Sequence, residues 1–205
     1  MTAAIEEVYG VRGPLDGYSF HGLTDPRIVR DLVVRWGGAA ADIDARMTRC
    51  LGRYVELLRE EVAVTGVRVL PGVRELAAAL AVDEGVVMGL LTGNVEAGAA
   101  LKLAPTGLAR YFCIGAYGSD GERRDELPTV AVRRAAAATG RRFSGREIVI
   151  IGDTPADVTC GAHLGVKTVA VATGRHSADE LLAAGADHVF TDFSDWRAVR
   201  AAILS

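Results

Sequence analysis

Cysteine is scarce in this chain. Cys50, Cys113 and Cys160 are its only thiols in 205 residues; they are isolated and odd in number. That count suits reduced, mostly buried thiols in a cytoplasmic protein better than a disulfide framework or a zinc site. Long apolar runs are absent, so no segment reads as a bilayer span. Met1 to Glu7 has neither a basic region nor an apolar stretch of the kind that marks a secretory signal. Basic excess is missing too: the net charge is -3, which gives no electrostatic footprint for nucleic acid. No Gly-x-x-x-x-Gly-Lys-Ser/Thr loop, no Gly-x-Gly-x-x-Gly after a strand and no Gly-x-Ser-x-Gly elbow occurs, which disfavours nucleotide-binding modules and serine hydrolases. His21, His163, His176 and His188 are scattered without metal-ligand spacing.

Half of the residues are hydrophobic and 24% are charged, enough to bury a substantial core. The first third reads as helical. Asp25 before Pro26 has the form of an N-cap followed by proline at the first helical position, and Ile28, Leu32 and Trp36 recur every fourth residue up to Gly37-Gly38. Ile43, Met47, Leu51, Tyr54, Val55, Leu58 and Val62 then form the stripe of a longer helix, most simply an interhelical seam. Beyond Thr65-Gly66 the pattern alternates. Strands are expected over Val86–Leu91, Phe112–Ala116, Ile148–Ile151, Lys167–Val171 and His188–Phe190. Helices are expected over about 95–103, 126–139, 156–164 and 178–184, with one more at the end. This is the signature of right-handed βαβ units around a parallel sheet. The expected organisation is a helical cap over residues 1–66 and an α/β, Rossmann-like core over 67–205.

The segment from Glu147 to Asp157 carries the most chemistry. A β-branched run ends in Gly152 and Asp153, and Asp157 follows four residues on. The C-terminal edge of a parallel sheet is where ligands bind, and two carboxylates on a tight loop there suit Mg²⁺. A plain helix cap by the same aspartates is the competing reading. Thr92-Gly93-Asn94, at the end of another strand, can form an anion cradle from a hydroxyl, an amide and backbone N–H groups, although alone it is also a common turn. Arg123 and Arg124, beyond the next strand, could place a cation at the same edge.

In this order these pieces resemble the haloacid dehalogenase superfamily of phosphohydrolases. Val86–Asn94 looks like its second motif, Glu147–Asp157 like its fourth, and Arg124, or less well Arg123, like its third. Phe20-His21-Gly22-Leu23-Thr24-Asp25 resembles the cap of phosphoglycolate-phosphatase-like members, and Leu70–Leu76 their re-entry into the core. The resemblance implies a Mg²⁺-dependent phosphatase acting on a small phosphorylated metabolite through an aspartyl-phosphate. Asp153 and Asp157 would then hold the metal. Thr92, Gly93 and Asn94 would hold phosphate, Arg124 would offset charge, and His21 and Thr24 could touch substrate from the cap.

The same resemblance implies a nucleophilic Asp-x-Asp at the end of a first core strand, in the middle of the sheet, and no such strand is found here. The only Asp-x-Asp is Asp42-Ile43-Asp44, in a helical stretch, and it is rejected as the nucleophile pair. The expectation is therefore a chain lacking its first core strand, N-terminally incomplete or non-catalytic, in which the strands at 86–91 and 148–151 pair directly or leave open edges.

Overall fold

The computed structural model describes residues 1–205. Helices α1 (Thr2–Tyr9), α2 (Asp25–Arg35) and α3 (Ile43–Thr65) pack on one another. Their seam buries Ile5, Ile28, Leu32, Ile43, Tyr54 and Leu58, the side chains that recur every three or four residues along each helix. The N-cap of α2 is Thr24, whose hydroxyl accepts the Arg27 N–H at 3.3 Å. Asp25, expected as the cap, sits one residue inside the helix and turns its carboxylate toward Val95. Gly37, with φ of 82°, ends the helix region as the sequence suggests.

The α/β part follows: α4 (Val73–Ala81), β1 (Gly89–Leu91), α5 (Glu96–Leu103), β2 (Ile114–Ala116), α6 (Leu127–Thr139), β3 (Val149–Gly152), α7 (Pro155–Thr159), β4 (Lys167–Val171), α8 (Ala178–Ala183), β5 (His188–Phe190) and α9 (Trp196–Leu204). Every strand pair is parallel. The strands form two sheets, β1-β2 and β3-β4-β5, rather than one. Between the facing edges of β1 and β3 runs an apolar cleft of about 970 Å³. The strands on either side of the expected gap thus leave open edges and do not pair.

Two boundaries differ from expectation for identifiable reasons. β1 is three residues long because its partner β2 starts only at Ile114, after the 3-10 turn Ala109–Tyr111. The helix expected over 156–164 stops at Thr159, and a separate 3-10 turn spans Ala162–Leu164. Between them Gly161 packs on the sheet so closely that a Cβ would lie 2.5 Å from the Ile150 Cδ1 and 2.7 Å from Val166.

β4 is buried along its whole length, Lys167 included. That ammonium donates to the carbonyls of Ala202 at 3.2 Å and Ile203 at 3.0 Å and to Ser205. A buried charge is tolerated there because it satisfies the free carbonyls at the end of α9.

Candidate active site at the strand ends

The loop after β1 is held by short-range geometry. The Thr92 N–H donates to the Ala116 carbonyl at 3.0 Å, and the Thr92 hydroxyl accepts the Asn94 N–H at 3.2 Å. Gly93 is pressed against the turn that precedes α2: a Cβ there would lie 2.1 Å from the Leu23 carbonyl oxygen, and the Gly93 carbonyl accepts the Asp25 N–H at 2.7 Å. Only glycine fits. The Asn94 amide lies between two partners, accepting from Lys102 at 3.0 Å and donating toward the Asp25 carboxylate at 3.3 Å. Asp25 also accepts the Val95 N–H at 2.8 Å. Its burial raises its pKa above the ordinary 3.8, with the Val95 and Asn94 donors opposing.

The loop after β3 is organised by Asp157. One of its oxygens accepts the N–H of Asp153 at 3.1 Å, the N–H of Thr154 at 3.0 Å and the Thr154 hydroxyl at 2.8 Å. Thr154 in turn caps α7 by accepting the Asp157 N–H at 3.2 Å, a reciprocal capping box. The other oxygen is taken by Arg124, and both side chains of this pair are largely buried, 16% and 7% exposed. Asp157 therefore spends its oxygens on the loop and on Arg124. Asp153 makes no hydrogen bond through its carboxylate, which lies against Gly174, where a Cβ would stand 2.3 Å from the Asp153 Oδ2.

Of the two arginines, Arg124 faces the β3 loop while Arg123 is exposed and pairs with Asp125 at 2.5 Å. The Arg124 Nε is buried with no partner, the one donor in this region left without an acceptor. Nearby, burial pushes the Cys160 thiol up to about 11, so it is a packed thiol rather than a nucleophile.

The cap-side residues divide. His21 is exposed, and its N–H donates to the Ser19 hydroxyl at 3.3 Å. Thr24 is 1% exposed, with its hydroxyl donated to the Glu122 carbonyl; it fixes the cap turn to the core. The turn also reaches the second loop, since a Cβ on Gly22 would lie 2.6 Å from that of Ala156. Residues 22–24 thus bridge the loops after β1 and β3. Sequence reasoning missed two further members of this junction. Asp25 anchors the β1 loop, and Arg30 binds Glu122 at 2.6 Å and Asp44 at 2.6 Å. Their partners lie tens of residues away, so only the Thr-Asp-Pro helix start hinted at either.

Asp42 and Asp44 each spend their carboxylate on an arginine. They pair with Arg46 at 3.1 Å and Arg30 at 2.6 Å on the exposed helical region. No group of three or more His, Cys, Asp or Glu side chains is placed to enclose a metal ion. What the edge offers is one free carboxylate, Asp153, a hydroxyl at Thr92 and a buried guanidinium.

A family model described as HAD-hydrolase-like matches residues 127–196, the stretch from α6 to the start of α9. The probable phosphatase IndB of Dickeya dadantii strain 3937 is 28% identical over 158 residues, covering 74% of this chain. The chain spans 65% of that relative's length. A crystal structure described as a predicted phosphoglycolate phosphatase from Haemophilus somnus superposes with a TM-score of 0.66 at 18% identity, over 97% of this chain and 87% of that one. CbbY of Rhodobacter sphaeroides, solved with xylulose-(1,5)bisphosphate, superposes with a TM-score of 0.65 at 18% identity, over 95% and 87%. At such identities the superpositions speak for the fold, and the sequence matches show a likeness of residues 127–196 to HAD-like hydrolases and of a longer stretch to a probable phosphatase.

Proposed function

We propose that this chain carries the phosphate- and cation-holding side of a Mg²⁺-dependent phosphatase for a small phosphorylated metabolite, phosphoglycolate or a compound like it, working in the cytoplasm. The observation that carries the reading is the division of labour between the two aspartates after β3. Asp157 is tied into the loop and to Arg124, while Asp153 is left free at the same sheet edge as Thr92.

Mg²⁺ is commonly held by one or two carboxylates together with waters and substrate phosphate rather than by an all-protein cage. One free carboxylate meets that demand, so Asp153 would hold the ion and Asp157 would keep Asp153 in place. When bound, the ion neutralises charge on the phosphoryl oxygens. Thr92 donates its hydroxyl to a phosphoryl oxygen, Gly93 lets the backbone approach closely, and the Asn94 side chain orients Lys102 beside it. Arg124 offsets the negative charge of the β3 loop. The cap turn at 22–24 closes the edge from above and, with exposed His21 beside it, meets the rest of the substrate.

The resemblance also implies an aspartyl-phosphate intermediate. None of the residues at this edge is placed as its nucleophile, because the only Asp-x-Asp lies in exposed ion pairs on the helical region. The second reading, a protein that binds a phosphorylated ligand without turnover, draws on that observation.

Assay with an aryl phosphate and Mg²⁺, alongside calorimetric titration of Mg²⁺ in the presence of inorganic phosphate, tests both. We expect little or no turnover by these 205 residues, and Mg²⁺ binding that Asp153→Asn abolishes. Binding undiminished in Asp153→Asn would refute the metal assignment. Turnover by the unaltered chain would refute the assignment of an absent nucleophile.

A further inference from the structure

Three charged side chains lie buried in this protein: Asp25, Asp157 and Lys167. Asp157 has Arg124, and Lys167 has the last carbonyls of α9. Asp25 makes no ion pair; its carboxylate accepts the Val95 N–H at 2.8 Å and faces the Asn94 side-chain NH2 at 3.3 Å. Its counter-charge stands one amide away, where the Lys102 ammonium donates to the Asn94 Oδ1 at 3.0 Å. Burial raises the Asp25 pKa, and Lys102 is among the groups that oppose the rise. A charge taken out of water without a direct partner costs several kcal/mol. Such a departure from good packing is expected where a residue serves function.

An amide has a donor end and an acceptor end. With Lys102 on its oxygen, Asn94 turns its NH2 to Asp25, and both ends are engaged. The backbone of the turn can be accounted for group by group. The Thr92 N–H goes to Ala116, the Asn94 N–H to the Thr92 hydroxyl, the Val95 N–H to Asp25 and the Glu96 N–H to the Ser119 hydroxyl. The Gly93 carbonyl takes the Asp25 N–H at 2.7 Å, and the Asn94 carbonyl takes the Gly118 N–H at 2.8 Å. The Gly93 N–H and the hydroxyl hydrogen of Thr92 are the donors that remain. Residue 25 thus clasps the turn on both sides of Asn94, by its N–H at Gly93 and by its carboxylate at Val95.

We propose that Asp25 is a positioning residue for the phosphate loop. Through Asn94 and Lys102 it forms a carboxylate–amide–ammonium bridge that holds the two free donors of the loop ready for a phosphate. Given the phosphate reading of this loop, on which the assignment rests, phosphate affinity depends on a carboxylate supplied by α2. The same turn is fixed to the core by Thr24, whose hydroxyl donates to the Glu122 carbonyl, so docking of α2 and order in the loop are one event. In Asp25→Asn the amide oxygen can keep the Val95 N–H, but its NH2 stands against the NH2 of Asn94. Asn94 then turns over, and its NH2 meets the Lys102 ammonium. Combining Asp25→Asn with Asn94→Asp rebuilds the bridge with the charge moved by one side chain: the carboxylate now accepts from Lys102 and from the amide at position 25.

The test is a double-mutant cycle on the whole chain, read by calorimetric titration with inorganic phosphate and Mg²⁺ and by urea unfolding. Each single substitution should weaken phosphate binding about tenfold, a coupling of the size found within one hydrogen-bond network. The double variant should return to within about threefold of the parent, and amide exchange at Val95 should quicken in the single variants and recover in the double one. Single variants that bind phosphate as the parent does, while their unfolding midpoints fall, would make Asp25 a structural tether and overturn the proposal. A double variant no better than the single ones would show that the bridge does not hold the loop and overturn it equally. In both cases the unaltered chain still binds phosphate. An unaltered chain that binds none, with rescue seen in unfolding, would instead remove the phosphate reading of the loop and the proposal with it.

Discussion

At the scale of single residues, the two aspartates after β3 look equivalent in sequence and differ in structure. Asp157 accepts three donors from its own loop and one guanidinium in a largely buried setting. Removing one partner of such a pair leaves the other charge buried and unpaired. Asp157→Ala is expected to lose about 3–5 kcal/mol in urea unfolding. Asp153→Ala touches no hydrogen bond and is expected to stay within about 0.5 kcal/mol of the parent while losing Mg²⁺ binding. A second charge pair predicts pH behaviour. Arg134 grips Asp120 at 2.6 and 2.7 Å and holds its carboxyl below the ordinary 3.8. A lowered folded pKa means the unfolded chain takes up protons first as the solution is acidified. The contribution of Asp120 is therefore full above its ordinary value and is lost as pH falls through the lower folded one. Unfolding titrations below about pH 4 should show a shallower loss of stability in Asp120→Asn than in the parent.

At the scale of elements, the junction between α2 and the loop after β1 depends on glycine. The Gly93 Cα faces a backbone carbonyl, which cannot swing aside as a side chain could. Gly93→Ala is expected to lose about 1–3 kcal/mol and to speed amide exchange in residues 22–25, whose hydrogen bonds to the core are the ones displaced. Sequence alone resolves β4 and β5 at their observed limits, because β-branched runs there are bounded by turn residues and each strand finds its partner over its whole length. It overextends β1, since strand length is set by a partner 25 residues later, and it runs α7 through Gly161, whose reason for being glycine is the close approach of Ile150. The competing reading from sequence gives the cap of α7 to Asp153 or Asp157, whereas Thr154 is the N-cap and Asp157 its reciprocal partner. The pairing of Asp157 with Arg124 and of Lys167 with the last carbonyls of α9 is not readable in the sequence, because no local pattern links residues more than thirty positions apart.

At the scale of the whole molecule, the helical region, the two sheets and the loops at their C-terminal ends form a parallel α/β frame that shares its fold with solved phosphatases. The frame explains why residues from four separate stretches meet at one edge: parallel strands deliver every following loop to the same side. It also explains the cleft, because two parallel sheets with facing open edges leave room and hydrogen-bonding demand between them. No helix is long and apolar enough to cross a membrane. In the proposed function this edge holds Mg²⁺ and phosphate through Asp153 and Thr92, with Asp157 supporting the loop. Amide chemical shifts during titration with Mg²⁺ and inorganic phosphate decide the matter. Shifts are expected to centre on Gly93, Asn94, Asp153 and Thr154 and to vanish in Asp153→Asn while that variant stays folded. Shifts absent from those residues, or unchanged in Asp153→Asn, would contradict it.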